Sequence, residues 1–225
     1  ELISTLRETG KEELLAELMF ERAPARYFFT RQRRLLGLGH AVGCAEAFVG
    51  DKPFVVALGD SIIGLRAKST VVERMMATYE DRNAAAVIAF EEVPMREVHR
   101  YGVAEPKEEG EVFEVSDLIE KPIQEEAPSN LAIAARYVLS PAIFDALRST
   151  QPGKGGEIQL TDAIRLLLQD GGRVFGVRLP VTERRYDIGN FSAYFRAFAE
   201  FALADETYGA DLRNHLEELL HADHP

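Results

Sequence analysis

Pro53-Phe54-Val55-Val56-Ala57-Leu58-Gly59-Asp60, "PFVVALGD", is a near-continuous apolar run that stops at Gly-Asp. A run that is apolar at both odd and even positions reads as a strand covered on both faces, typically a buried parallel strand with polar residues at its carboxyl end. Downstream, "STVVERMMATYEDRN" has the spacing of an amphipathic helix, with Ser69 or Thr70 placed to cap it. "AAAVIAFEEV" then reads as a second buried strand. Upstream, "GLGHAVGCAEAFVG" is a Gly-rich turn leading into a helix of small residues, and residues 25–32, "ARYFFTRQ", read as a short strand. Residues 1 to about 19 have helical periodicity and mixed charge. Strand and helix alternate, which predicts an α/β protein built on a doubly wound sheet, mixed but mostly parallel and flanked by helices.

The second half changes character. "YGVAEPKEEGEVFEVSDLIEKP" places short strands around charged turns, as in an antiparallel ribbon. "SNLAIAARYVLS" and "GRVFGVRLP" read as strands, "PAIFDALRST" as a helix opened by proline, and "EIQLTDAIRLLLQDGG" as a helix after a Gly-rich turn. After "RRYDIGN" the chain reads as helical to its end. No linker separates two domains. Residues 1–225 are expected to form a single domain, with 191–225 as C-terminal helices able to serve as an oligomer interface.

Of the 225 residues, 46% are hydrophobic and 28% charged, enough apolar material for a sizeable core. The net charge of −11 argues against sequence-independent binding of nucleic acid, which needs a basic face. A local cluster of cations for a phosphorylated substrate remains compatible with it. No apolar run approaches the ~18 residues of a membrane span. One cysteine, Cys44, precludes an intrachain disulfide and fits a cytoplasmic protein. The five histidines are scattered, and none joins Ser or Cys in a nucleophile motif.

Six stretches carry chemistry-bearing residues, several with an ordinary alternative. "RQRRLLGLGHAV" (31–42) has two close glycines where strand passes to helix, so it is a tight turn or a place where backbone approaches a ligand. In "ALGDSI", Asp60 ends a strand, as a turn or cap residue or as an oxygen ligand for Mg²⁺. "RYGVAE" holds Gly102. "IEKP" sets Glu120 beside Lys121, and on a regular strand the two would point to opposite faces. "GGEIQLTDA" puts Gly-Gly before a helix expected to carry Glu157, Gln159 and Asp162. In "RRYDIGN", Asp187 is turn chemistry or a metal ligand.

"GLGHAV", "GD" at a strand end, "YGV", "EKP", "EEAPSNLAIAARYVL", "GGEIQLTDA" and "RYDIGN" occur in one order along the whole chain. In that order and wording the sequence resembles the bacterial UTP–glucose-1-phosphate uridylyltransferases, the UDP-glucose pyrophosphorylases. "EKP" and "GD" are shared with relatives such as the glucose-1-phosphate thymidylyltransferases. The resemblance implies a Rossmann-like nucleotidyltransferase fold and an enzyme that converts UTP and glucose 1-phosphate to UDP-glucose and pyrophosphate. It implies Gln32 and Gly37 on the uracil side, Gly102 and Glu120 on the glucose ring, and Lys121 on the sugar phosphate. It also implies Asp60 and Asp187 as the Mg²⁺ carboxylates, and a homo-oligomer, dimer or tetramer. Rival readings are another sugar-1-phosphate nucleotidyltransferase and a non-catalytic UDP-sugar-binding module.

Two departures from the family pattern stand out. Leu35 takes the place where the family usually has proline. The family's opening strand and its "GxGTRxxP" triphosphate loop do not occur within these residues, so the resemblance implies a fold lacking the first βα units and a chain that is by itself a poor catalyst.

Overall fold

β3 (Ala86–Glu92) runs through the middle of a six-stranded sheet in the computed structural model, which describes residues 2–17, 26–65 and 69–221. The strand order is β1 (Phe54–Ala57), β6 (Leu131–Leu139), β3, β7 (Val174–Arg178), β5 (Val112–Glu120), β4 (Gly102–Pro106). Side chains alternate along β3. Ala86, Ile88 and Phe90 enter one core, where Ile143 and Phe144 of α6 (Ala142–Ser149) and Leu160 and Ile164 of α7 (Leu160–Gln169) cover them. Val87 and Ala89 enter a second core, under Val71 and Met75 of α5 (Val71–Arg82). Both faces of the sheet are thus covered, which is why β3, β6 and β7 read as continuous apolar runs. Each large side chain buried this way contributes about 1.5–3 kcal/mol.

The rest of the chain from residue 32 packs around this centre. α3 (Leu38–Gly43) and α4 (Glu46–Val49) precede β1, so the expected helix of small residues is broken in two. β2 (Ser61–Ile63) and β8 (Arg185–Asp187) form a separate antiparallel ribbon. α8 (Phe191–Leu203) and α9 (Gly209–His221) follow. Of the two candidate caps of α5, Ser69 accepts the N–H of Val71, 3.1 Å away. Residues 1–31 cluster as a compact unit distinct from 32–225. They contain α1 (Leu2–Glu8) and α2 (Glu12–Glu17), as the helical periodicity predicts, while residues 18 and 19 lie outside the described residues. No described helix is long and apolar enough to cross a membrane.

Four expectations need correction. The sheet is mixed, but among the described strands only β3 and β7 run parallel; the other pairings are antiparallel. The strand of "PFVVALGD" is not a buried parallel one. β1 is an antiparallel edge strand on β6, with Val55 exposed, because a short apolar run does not encode its partner. Residues 26–32, with Ala25 outside the described residues, form no strand. Aromatic β-propensity becomes a strand only where a neighbour completes the backbone ladder. Finally, Glu157 and Gln159 precede α7 rather than riding on it. The backbone of Ile158 is engaged elsewhere: its N–H donates to Leu36 O at 2.8 Å and its carbonyl accepts from Gly39 N at 2.9 Å.

Candidate active site

A cavity of about 330 Å³ opens between the carboxyl end of β1, the turn after β5, the start of α7 and the β2–β8 ribbon. Five of the seven expected site residues line it: Asp60, Gly102, Glu120, Lys121 and Asp187. They come from four segments far apart in sequence, and its volume is at the small end of the range for ligand cavities.

One wall holds the "EKP" pair. Lys121 has φ +48°, a left-handed conformation uncommon for a residue with a side chain. That single residue cancels the strand alternation, so Glu120 and Lys121 face the same cavity instead of opposite sides of the sheet. Lys121 Nζ stands 3.5 Å from Glu120 Oε1. The other carboxylate oxygen, Oε2, accepts a hydrogen bond from Thr161 Oγ1 at 2.7 Å. Gly102 faces Glu120 in the β4–β5 register. A Cβ at Gly102 would stand 2.7 Å from Ile133 Cδ1, 3.0 Å from Thr161 Oγ1 and 3.1 Å from Glu120 Oε2, so the wall closes only around glycine. Tyr137 lies behind it. Burial, and then the negative charge of Glu120, push its phenol well above the ordinary value and keep it protonated.

The opposite wall holds the two aspartates. Ser61 pairs with Asp187 in the β2–β8 register, and Ile188 N–H donates to Asp60 O at 2.8 Å. These bonds bring together residues 127 positions apart (187 minus 60). A Cβ built on Gly189 would be 3.2 Å from Asp187 Oδ1 and 3.2 Å from Asp60 Oδ2. The two carboxylates therefore both adjoin Gly189, with these two oxygens no more than twice that distance apart. Asp187 is also the turn residue that its motif suggests, since its Oδ1 accepts Gly189 N–H at 2.9 Å. The cap of α8 is instead Asn190, whose Oδ1 accepts from Ala193 N. Among the described residues no group of three or more His, Cys, Asp or Glu is placed to hold a metal, so a cation here would have two protein carboxylates.

Arginines that sequence reading missed hold this wall. Arg136 donates to Leu58 O at 3.3 Å and Ser61 O at 2.8 Å, the carbonyls on either side of the Gly59-Asp60 turn. Arg185, with a side chain only 7% exposed, pairs with Glu91 at the end of β3 and lies over the ring of Tyr101. Burial raises the Glu91 carboxyl above the ordinary range, with Arg185 opposing the shift. Arg100 reaches Asp187 Oδ2 at 3.6 Å. Ala135, between Ile133 and Tyr137 in the cavity lining, is left-handed as well, at φ +57°. None of this was visible in the sequence, because each role is defined by a partner tens of residues away.

Gln32 and Gly37 are not in the cavity lining but adjoin it. Gln32 Nε2 donates to Gly37 O at 3.0 Å and lies 2.9 Å from His40 Nδ1, which ties the loop to α3. Gly37, at φ +94°, leaves no room for a Cβ, which would come 2.7 Å from both Glu157 Cβ and Ile158 O. It thereby seats Leu38 and Glu157 in the cavity wall.

Residues 5–203 match the nucleotidyl transferase family. The chain is 40% identical over 220 residues to the UTP–glucose-1-phosphate uridylyltransferase of Staphylococcus epidermidis, an alignment covering 97% of this chain and 74% of that protein. The Staphylococcus haemolyticus enzyme of the same name is 39% identical with the same coverage. Among solved structures, the UTP-bound UGPase of Acinetobacter baumannii superimposes with a TM-score of 0.82 at 33% identity, over 97% of this chain and 75% of that one. A UDP-glucose pyrophosphorylase complexed with UDP-glucose gives 0.76 at 37% identity, over 84% and 70%. By sequence and by fold, the chain belongs to the nucleotidyl transferases and, within them, to the UTP–glucose-1-phosphate uridylyltransferases.

Proposed function

We propose that this enzyme joins UTP to glucose 1-phosphate, releasing pyrophosphate and UDP-glucose. A phosphate oxygen of the sugar attacks the α-phosphorus of UTP. The new P–O bond forms in line with the breaking bond to the β-phosphate, and pyrophosphate leaves with that electron pair. No covalent bond to the protein is needed, so catalysis is positioning and charge neutralisation. The observation that carries this reading is the convergence of "GD", "YGV", "EKP" and "RYDIG" on one cavity.

Each residue has a task in this reading. Glu120 accepts hydrogen bonds from sugar hydroxyls, and Gly102 lets the ring approach the wall. Lys121 pairs with the phosphate that becomes the nucleophile. Gln32 and Gly37 shape the uracil side through the loop that they brace. Asp60 and Asp187 would hold Mg²⁺: each places a carboxylate oxygen beside Gly189, and Mg²⁺ suits one or two carboxylates completed by substrate phosphates and water. Bound there, the ion would offset phosphate charge. We further propose that the chain self-associates through α8, where Phe191, Phe195 and Phe198 are exposed; sedimentation of the chain tests this.

The test is pyrophosphate release with UTP or dTTP against glucose or galactose 1-phosphate, over a range of Mg²⁺ concentrations, measured with this chain alone and with the family's triphosphate-loop segment joined to it. UTP and glucose 1-phosphate are expected to be the preferred pair. Asp60→Ala and Asp187→Ala are each expected to lower kcat by at least about a hundredfold, the scale of losing one electrostatic group at a reacting centre. Full activity in both variants would overturn the metal assignment, and preference for dTTP would overturn the nucleotide.

A further inference from the structure

The hydrogen bond from Thr161 to Glu120 joins two motifs that are 41 residues apart in the chain. Thr161 is the second residue of α7 and only 5% exposed. Its hydroxyl, 2.7 Å from Glu120 Oε2, takes one oxygen of the carboxylate, while Lys121 Nζ lies 3.5 Å from the other. The side chains of Thr161 and Glu120 both press against Gly102, where even a methyl group would approach them to within 3.1 Å. The carboxylate is therefore restrained at both oxygens and along one edge. What remains for a ligand is a set of lone pairs pointing in fixed directions into the cavity.

We infer that Thr161 is a positioning residue that orients Glu120 toward the ring hydroxyls of the sugar, and so sets which hexose 1-phosphate is accepted. The inference rests on the assignment of Glu120 to the sugar made above. A site built to hydrogen-bond a hydroxyl rejects an analogue whose hydroxyl is misplaced, because buried polar groups are then left unpaired. That rejection requires the acceptor to stay in place. Without the Thr161 hydroxyl, Glu120 can rotate to follow a hydroxyl of the other configuration, and discrimination falls along with affinity.

The experiment compares Thr161→Val, which keeps shape and removes the hydroxyl, with Thr161→Ser, which keeps the hydroxyl. Thr161→Val is expected to raise KM for glucose 1-phosphate by about ten- to a hundredfold, the effect of losing a hydrogen bond to a charged group. It is expected to narrow the preference for glucose over galactose 1-phosphate while leaving KM for UTP within about twofold. Thr161→Ser should restore both quantities. In a Glu120→Gln background the same Thr161→Val change should have little further effect, because the partner that it positions has been altered. If Thr161→Val does not fold, Thr161→Cys, with a thiol that is only a weak donor, carries the same comparison. Wild-type KM and sugar preference in the folded variant would overturn the inference, and so would a loss that persists in full in the Glu120→Gln background. The two levels are separable. If Glu120→Gln loses sugar binding and Thr161→Val does not, the assignment of Glu120 stands and the role of Thr161 falls. If Glu120→Gln binds the sugar as well as wild type, the assignment itself falls.

Discussion

The two walls of the cavity are held by opposite means. The wall of Gly102, Glu120 and Lys121 stands on the five-residue β4, the nine-residue β5 and the ten-residue α7, with β4 laddered to β5 from Gly102 to Pro106 and to β6 at Val103, and a buried hydroxyl at its centre. The wall of Asp60 and Asp187 stands on a ribbon of two three-residue strands. So short a ribbon is not stable alone. It is held in place by side chains: Arg136 across the turn around Asp60, and Arg185 onto Glu91. The first wall is braced by secondary structure and the second by charge, and they should fail differently.

The largest effect is expected from Arg185→Met. It leaves the Glu91 carboxylate, already raised by burial, without its partner, and breaking a buried pair costs about 3–5 kcal/mol. Urea unfolding measures the loss. A change below about 1 kcal/mol, the scale of an exposed pair, would mean that the ribbon is held by its backbone rather than by charge. Gly102→Ala probes the other wall and should cost less, about 1–3 kcal/mol for overpacking. Its main effect should fall on sugar binding, since the added methyl would sit against Thr161 and Glu120. Calorimetric titration with UDP-glucose, read beside the unfolding midpoint, separates the two. Equal binding in the variant would show that this wall yields.

The same contrast explains what could be read from the sequence. The strands around Val87, Val138 and Phe175 were legible because a strand covered on both faces must be apolar at every position. Of the seven expected site residues, the motifs brought out the five that meet in the cavity, while Gln32 and Gly37 fall outside its lining. The direction of β1 was not legible, since an apolar run looks the same beside a parallel or an antiparallel neighbour. Nor was the common orientation of Glu120 and Lys121, which depends on one left-handed residue with an ordinary side chain. Arg136 and Arg185 escaped notice for a further reason. An arginine in a strand reads as solvated, and only the fold shows that Leu58 O, Ser61 O and Glu91 surround these two.

The smallest effect, and the finest probe of the comparison, comes from Asp162. On the aspartate side Asp187 has Arg100 and Glu91 has Arg185, whereas behind the other wall Asp162 feels a second acid, Glu120. Asp162 is raised above the ordinary carboxylate range by burial and then by the charge of Glu120, with Arg165 opposing. Its folded-state value therefore exceeds its unfolded one. Between the two values the folded state binds more protons than the unfolded, so stability falls as pH rises through that window. Below both values Asp162 is neutral, and an asparagine in its place would be a near equivalent. Above both, the folded protein carries the full penalty of the ionised acid. Asp162→Asn is thus expected to match wild type at the acid end and to gain on it as pH rises past about 4, then to hold a constant advantage. Unfolding midpoints of the two proteins at a series of pH values test this, because every group not coupled to Asp162 cancels in the difference. A difference that is flat, or that shrinks with rising pH, would show that the charges of the Glu120 wall are compensated as fully as those opposite.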